Sequence, residues 1–366
     1  HAASLGEFNQ IKTIIDEIKQ QKYNSINIIS FSSPSGMNNV YDEAIDLKFY
    51  LPFDFPWVIK KVLEIVQPSK LVFSSYDLWP NLLWYSHSKH IHTSIVSAKM
   101  KKNSIKNKLI FKNFYQFLYG SISAIYTITN KDKMRYEKLI GSAATTRISV
   151  MGNPRYDTVY KASKHFVLKD SAIAKRTNKY IIIGSAHSED DNRFIPSLTF
   201  LLKQIPELKI LHVPHEPNQN NIERVKSIYL ELGYDSNDIS DFENITSSKN
   251  RIIVINKVGL LSNLYSLGYL AYIGGGFSTG IHNVMEPAIA SLPVLFGPRY
   301  DDFDEANQLI QLGGGFCIEN RAIFEDTILK LIKNKAFYEE SSTASKNVIL
   351  NNIGSTKKVI DALIRE

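Results

Sequence analysis

The chain has 366 residues, 44% hydrophobic and 22% charged, which excludes a disordered, collagen-like or coiled-coil protein and predicts two domains at roughly 150 residues each. Its single cysteine, Cys317, excludes an internal disulfide and any cysteine-based zinc site. A net charge of +7 predicts an anionic partner, and with no nucleic-acid module in the sequence that partner is a phosphorylated substrate or a membrane surface.

The chain opens without Met at His1-Ala2-Ala3-Ser4-Leu5-Gly6-Glu7, already inside a motif-like stretch, so a strand and further sequence are expected upstream. Ile11, Ile14, Ile15 and Ile18 then mark an amphipathic helix. Ile26–Phe31 reads as a buried strand, Phe55–Val66 as a helix, and Leu71–Ser74, His92–Val96, Ala124–Ile128 and Ser149–Gly152 as further strands. Strands alternating with amphipathic stretches predict a parallel sheet with helical crossovers. From Tyr156 to Asn178 the sequence is polar and Lys-rich, which sets a boundary between an N-terminal domain over 1–157 and a second domain over 158–340. The strand pattern restarts at Tyr180–Gly184 and continues through Leu208–Val213, Arg251–Ile255, Leu270–Ile273, Pro293–Phe296 and Gly315–Ile318. Residues 341–366 are expected as a C-terminal helix returning to the first domain. Open α/β sheets bind ligands at the carboxyl ends of their strands, so two such domains face to face predict a cleft site.

The strongest local signal is Gly274-Gly275-Gly276-Phe277-Ser278-Thr279-Gly280-Ile281-His282-Asn283-Val284-Met285-Glu286. A strand running into glycines that open a helix presents backbone N–H groups to a phosphate, or serves only as a tight turn. Asn283 and Glu286, three apart on a first helical turn, favour a binding face, and a carboxylate there accepts hydrogen bonds from ribose hydroxyls. Gly184-Ser185-Ala186-His187 repeats the strand-to-turn pattern, with Ser185 either a phosphate contact or the N-cap of a helix starting near Glu189. Pro214-His215-Glu216-Pro217 ends a strand and places His215 and Glu216 as candidate nucleotide contacts. Glu7 stands in a helical first turn, where it either complements the dipole or serves as a general base, and Gly6 beside it leaves room for a substrate. From Lys99 to Lys112 six lysines, including Lys101 and Lys102, occur with no acidic residue among apolar neighbours. That stretch is a solvated face, or a contact for an anionic lipid surface or a phosphorylated acceptor.

These residues together resemble the Kdo transferases, which move 3-deoxy-D-manno-octulosonic acid onto the lipid A precursor. His1–Glu7 resembles the family's opening motif, Tyr50-Leu51-Pro52-Phe53-Asp54 its Tyr-Leu-Pro-x-Asp, and Leu78-Trp79-Pro80-Asn81-Leu82 its Leu-Trp-Pro-Asn-Leu. Gly274–Pro298 is similar to its donor-binding signature, and Phe303-Asp304-Glu305 to the Phe-x-Glu that follows. The motifs run in family order along nearly the whole chain. Two segments depart: Ser75-Tyr76-Asp77 stands where the family usually has Glu-x-Glu, and Ser97-Ala98-Lys99-Met100-Lys101 where it has Asn-Ala-Arg-Leu-Ser.

The resemblance implies a GT-B fold, two Rossmann-like domains around a deep cleft. It implies Glu7 as catalytic base and CMP-Kdo on the second domain, with Ser185, His215, Glu216, Gly274, Gly275, Gly276, His282, Asn283, Glu286 and Glu305 as the donor-side set. It implies an acceptor or membrane side at Ser4, Gly6, Lys99, Lys101 and Lys102, a lipid A precursor such as lipid IVA as acceptor, and a place on the cytoplasmic face of a bacterial inner membrane, peripheral or anchored by an upstream segment. No carboxylate pair suits a divalent ion, so neither metal nor cofactor is expected. The competing expectations are a UDP-sugar transferase or UDP-GlcNAc 2-epimerase-like enzyme on the same fold, and a non-catalytic membrane-surface protein.

Overall fold

The structure, a computed structural model, describes residues 1–21, 25–75, 77–100, 109–141, 144–165 and 179–365. Lys101 and Lys102 lie outside the described residues. The chain divides into two compact units, His1–Thr158 with Asn352–Glu366, and Val159–Asn351.

In the first unit helix α1 spans Leu5–Gln20, and its sheet strands are β1 (Ile28–Phe31), β2 (Leu47–Tyr50), β3 (Lys70–Ser74), β4 (His92–Ala98), β5 (Ala124–Thr127) and β6 (Arg147–Val150). β3 to β6 pair in order and in parallel, and β1 pairs with β2 in parallel. His1–Ala3 lies between these two sheets. Ala2 N donates to Ser30 O at 3.1 Å and Ser74 N donates to His1 O at 2.9 Å, so the opening residues act as the strand that joins β1 to β3. This fixes the start of α1, and with it Glu7, at the carboxyl ends of β1 and β3.

β2 had no counterpart among the expected strands. Its residues Leu47-Lys48-Phe49-Tyr50 are exposed or half-buried throughout, so the apolar run that betrays a central strand is missing. Helices α2 (Pro34–Asn39), α3 (Pro56–Val66), α4 (Pro80–Ser88), α5 (Leu109–Gly120) and α6 (Asn130–Ile140) cross between the strands. Pro at the first position of α2, α3 and α4 costs no hydrogen bond there, because those N–H groups have no intrahelical acceptor. Phe73, Ile95, Tyr119, Ile125 and Tyr136 form one buried cluster; Phe8, Ile11, Ile14, Phe31 and Tyr126 form another.

α7 spans Arg155–Ser163. The second unit carries β7 (Lys179–Ala186), β8 (Leu208–Pro214), β9 (Asn237–Ile239), β10 (Ile252–Ile255), β11 (Gly268–Ile273), β12 (Val294–Phe296) and β13 (Gly315–Cys317). They form one seven-stranded parallel sheet in the order β13-β12-β11-β7-β8-β10-β9. β9 is the element the sequence hides: Asn-Asp-Ile at a sheet edge is mostly solvent-exposed and carries no strand signal. α8 (Ser188–Gln204), α9 (Gln219–Glu231) and α14 (Arg321–Lys333) bury Phe194, Leu198, Leu201, Val225, Phe324, Ile328 and Leu331 against Ile181, Ile210, Val254 and Tyr272 of the strands. Each such fully buried side chain contributes about 1.5–3 kcal/mol. Between α9 and α14 lie α10 (Phe242–Ser247), α11 (Leu261–Leu264), α12 (Met285–Ile289) and α13 (Asp304–Leu312).

The stretch 341–366 is two helices rather than one. α15 (Lys335–Leu350) belongs to the second unit and α16 (Ser355–Arg365) to the first, separated at Gly354, whose φ of +96° suits glycine. Val359, Ile360 and Leu363 of α16 pack into the cluster around Phe8 and Ile11. Asp157 locks that return, accepting hydrogen bonds from Gly354 N at 2.6 Å, Thr356 N at 2.7 Å and Thr356 Oγ1 at 2.8 Å. Asp157→Ala leaves those three donors without their acceptor and is expected to destabilise the first unit by about 2–4 kcal/mol. Urea unfolding followed by far-UV dichroism measures this; an unchanged midpoint would show that the apolar packing of α16 alone holds it.

Candidate functional site

β11, β7 and β8 lie side by side in the second unit, so the residues that follow them meet at one edge of the sheet. Gly274 N donates to Gly184 O at 2.9 Å, and His215 N donates to Ala186 O at 2.9 Å. A Cβ on Gly274 would sit 2.3 Å from the Ser185 carbonyl oxygen, and one on Gly276 would sit 2.6 Å from the Gly297 backbone, so both positions admit only glycine. Gly275 has φ +89° and turns the chain back, with Gly280 N donating to Gly275 O at 3.0 Å and His282 N to Gly274 O at 3.2 Å. The glycines therefore do not open a helix, as the sequence suggested. They fold a loop, and the helix that follows, α12, starts only at Met285 and is five residues long.

That loop brings three imidazoles together. His187 Nε2 and His282 Nε2 are 2.8 Å apart. The His215 ring stacks on both, its centroid 4.6 Å from His187 and 4.3 Å from His282. Burial, reinforced by the neighbouring His215 and His187, lowers the pKa of His282 from the ordinary 6.5 to about 4. Burial and His187 lower that of His215 as well, against a raising effect of Glu216. Buried His282 is therefore uncharged at neutral pH and offers an imidazole N–H and a lone pair rather than a full cation.

Asp190, which the sequence reading did not single out, holds the arrangement. Its carboxylate is 2% exposed and accepts hydrogen bonds from His187 N at 2.9 Å, Gly275 N at 2.9 Å and the Tyr272 hydroxyl at 2.6 Å. The signal was present as the spacing His187-x-x-Asp190, in which the third helical residue reaches back to the N-cap amide. α8 begins at Ser188 with His187 as N-cap, so Ser185 is not the cap. Ser185 instead has φ +53°, a left-handed backbone that costs a non-glycine residue roughly 1 kcal/mol. Ser278, also unpredicted, places its Oγ 3.0 Å from His187 Nδ1.

Asn283 and Glu286 do meet: Asn283 Nδ2 donates to Glu286 Oε1 at 2.9 Å, and Asn283 Oδ1 accepts from Met285 N at 3.1 Å. Glu216 is exposed at the end of β8 beside His215. Glu305 stands in the first turn of α13, 6% exposed, two residues past Phe303 whose ring faces Gly280.

In the first unit Ser4 is the N-cap of α1, its Oγ accepting from Glu7 N at 3.4 Å, while the Glu7 carboxylate accepts from Ala3 N at 2.7 Å. Gly6 is exposed, and a Cβ there would meet nothing closer than Ser4 Oγ at 3.7 Å. Packing does not demand glycine at this point, although glycine inside a helix costs about 1 kcal/mol. Burial raises the pKa of Glu7, helped by the nearby Asp77 carboxylate and opposed by the Ala3 hydrogen bond and by His1. The expected dipole preference for the ionised form is thus outweighed by desolvation. Asp77 is drawn the other way, its pKa lowered chiefly by His1, with Trp79 Nε1 donating to it at 3.2 Å. The two neighbouring carboxylates are thus pushed in opposite directions. Lys99 is half-buried at the end of β4, its carbonyl accepting from the Tyr136 hydroxyl at 3.4 Å.

Two parallel-sheet units of this kind define a GT-B architecture, and whole-chain structural likeness agrees. UDP-GlcNAc 2-epimerase from Neisseria meningitidis superposes with a TM-score of 0.68 at 14% identity, covering 100% of this chain and 98% of that one. MurG from Acinetobacter baumannii gives 0.61 at 15% identity, with the same coverage. Residues 1–158 match the family described as 3-deoxy-D-manno-octulosonic-acid transferase (kdotransferase). The chain is 26% identical to the 3-deoxy-D-manno-octulosonic acid transferase of Haemophilus influenzae, covering 99% of this chain and 85% of that protein. It is 25% identical to that of Aquifex aeolicus, covering 96% and 91%. Residues 1–158 thus carry the Kdo transferase match, and similarity to Kdo transferases extends along nearly the whole chain.

The depressed pKa of His282 has a consequence for stability. Between about 4 and 6.5 the unfolded chain binds a proton that the folded chain refuses, so this contribution is whole above 6.5 and is lost as pH falls toward 4. His282→Gln is expected to make stability less pH-dependent across that window. Urea midpoints at a series of pH values test this, and identical slopes in both proteins would contradict the burial of a neutral His282.

Proposed function

We propose that the protein transfers Kdo from CMP-Kdo to a lipid A precursor, lipid IVA, in the building of the lipopolysaccharide core. The observation that carries this reading is the buried Glu7 carboxylate, with its raised pKa, in a segment that matches the Kdo transferase family. Glu7 serves as general base. The acceptor hydroxyl oxygen bonds to the anomeric carbon of Kdo, its proton passes to Glu7, and the bond from that carbon to the phosphate oxygen breaks, with the electron pair leaving on CMP. A base whose pKa is raised toward neutrality takes a proton more readily than an ordinary surface carboxylate.

The second unit binds the donor. Asn283 orients Glu286, whose carboxylate accepts from ribose hydroxyls; with Gly274 N held by Gly184 O and Gly275 N by Asp190, the loop at Gly276 and the imidazoles of His215 and His282 receive the anionic groups. α8 contributes little to anion binding, because Glu189, Asp190 and Asp191 already occupy its first turn. Preorganised N–H donors stabilise charge developing on the leaving phosphate.

The enzyme works at the cytoplasmic face of the inner membrane. No helix among the described residues is long and apolar enough to cross a bilayer. Support for surface contact comes from Phe53, Phe55 and Trp57, all exposed, with the Phe55 and Trp57 rings stacked 5.2 Å apart, and from exposed Lys60 and Lys61 on α3.

Glu7→Gln is expected to lower kcat by about 10²–10⁴ with CMP affinity and folding unchanged. Single-turnover transfer assays alongside calorimetry check this; near-normal turnover removes Glu7 from the role of base. Glu286→Gln is expected to weaken CMP binding by about 1.5–3 kcal/mol in the same calorimeter, and unchanged affinity places the ribose elsewhere.

A further inference from the structure

We propose that His187, His215 and His282 form a three-imidazole binding site for a borderline divalent transition-metal ion, with zinc as the type case. Their ligating nitrogens all lie within 4.8 Å of one another. Three imidazoles with one position left open is a recurrent zinc ligand set, and nitrogen-only coordination selects Zn²⁺, Co²⁺ or Ni²⁺ over Mg²⁺ and Ca²⁺.

His187 turns Nδ1 to Ser278 Oγ at 3.0 Å and Nε2 to His282 Nε2 at 2.8 Å, so Nε2 is the nitrogen that faces the cluster. A serine fixing the outer nitrogen of a histidine whose inner nitrogen points into a cluster is the outer-shell arrangement that metal-bound histidines show. Metal binding asks little of the site. The Nε2 atoms of His187 and His282 separate from 2.8 Å to the roughly 3.4 Å that two bonds of about 2.1 Å require in a tetrahedron. His215 is exposed and free to swing inward.

This property shares His215 and His282 with the donor side of the transfer reading, and its test reads metal binding alone. The test is titration of untagged, full-length protein with Zn²⁺ by calorimetry and with Co²⁺ by visible absorption, with Mg²⁺ as comparison. One equivalent of Zn²⁺ and a tetrahedral Co²⁺ spectrum are expected, with Mg²⁺ showing no saturable binding. Affinity should fall at least tenfold in His282→Gln and in His215→Gln, and about tenfold in Ser278→Ala, which removes only the outer partner. Thermal melts without metal identify any variant that is unfolded, and Ser278→Ala, with no ring removed, remains informative if a histidine variant is. Absence of saturable Zn²⁺ binding, or equal Zn²⁺ affinity in wild type and folded variants, overturns the proposal.

Discussion

The three hydrogen bonds to Asp190 hold together the part of the second unit where chemistry is concentrated. One buried carboxylate ties the amide that starts α8, the amide of the left-handed Gly275 and the hydroxyl of Tyr272 on β11. Burial and the adjacent Asp190 raise the Tyr272 pKa far above its ordinary value, so that hydroxyl is a permanent donor. With these three bonds made to one carboxylate, the loops after β7 and β11 have one register relative to each other. The close approach of Gly274 to Ser185 and the convergence of three histidines follow from that register. A buried carboxylate is expensive unless satisfied, and here satisfaction and site geometry are the same set of contacts.

The first unit solves a related problem differently. His1–Ala3 serves as strand between β1 and β3, and the chain then turns at once into α1 through the Ser4 cap. Glu7 is thereby drawn into a pocket with Asp77 and His1, where desolvation works against ionisation. The Asp157 contacts bring the end of the chain back to this unit, so residues separated by almost the whole sequence share one core.

Much of this was legible in the sequence. Central strands announced themselves as continuous apolar runs such as Ile181–Ile183 and Ile252–Ile255, because strands of a parallel sheet are buried on both faces. Edge strands β2 and β9 did not, since exposure removes the pattern that marks them. Glycine at 274 and 276 was recognisable as essential, but the reason was not. Steric exclusion by Ser185 O and by the Gly297 backbone depends on segments far away in sequence. The same limit hid Asp190 and Ser278, whose importance lies in partners more than 80 residues distant. Asn283 and Glu286, being three apart, needed only local geometry and were found. Helix polarity argued for an ionised Glu7, whereas burial, which no single sequence displays, pushes it the opposite way.

The central claim is that Glu7 is the base of a Kdo transfer to lipid. The most direct measurement is incubation of the full-length protein and of Glu7→Gln with CMP-Kdo and lipid IVA, followed by mass spectrometry of the lipid. If the claim holds, the wild-type product carries added Kdo and CMP is released, while the variant yields little of either in the same time. Unmodified lipid from folded wild-type protein that binds CMP, or equal product from the variant, would contradict it.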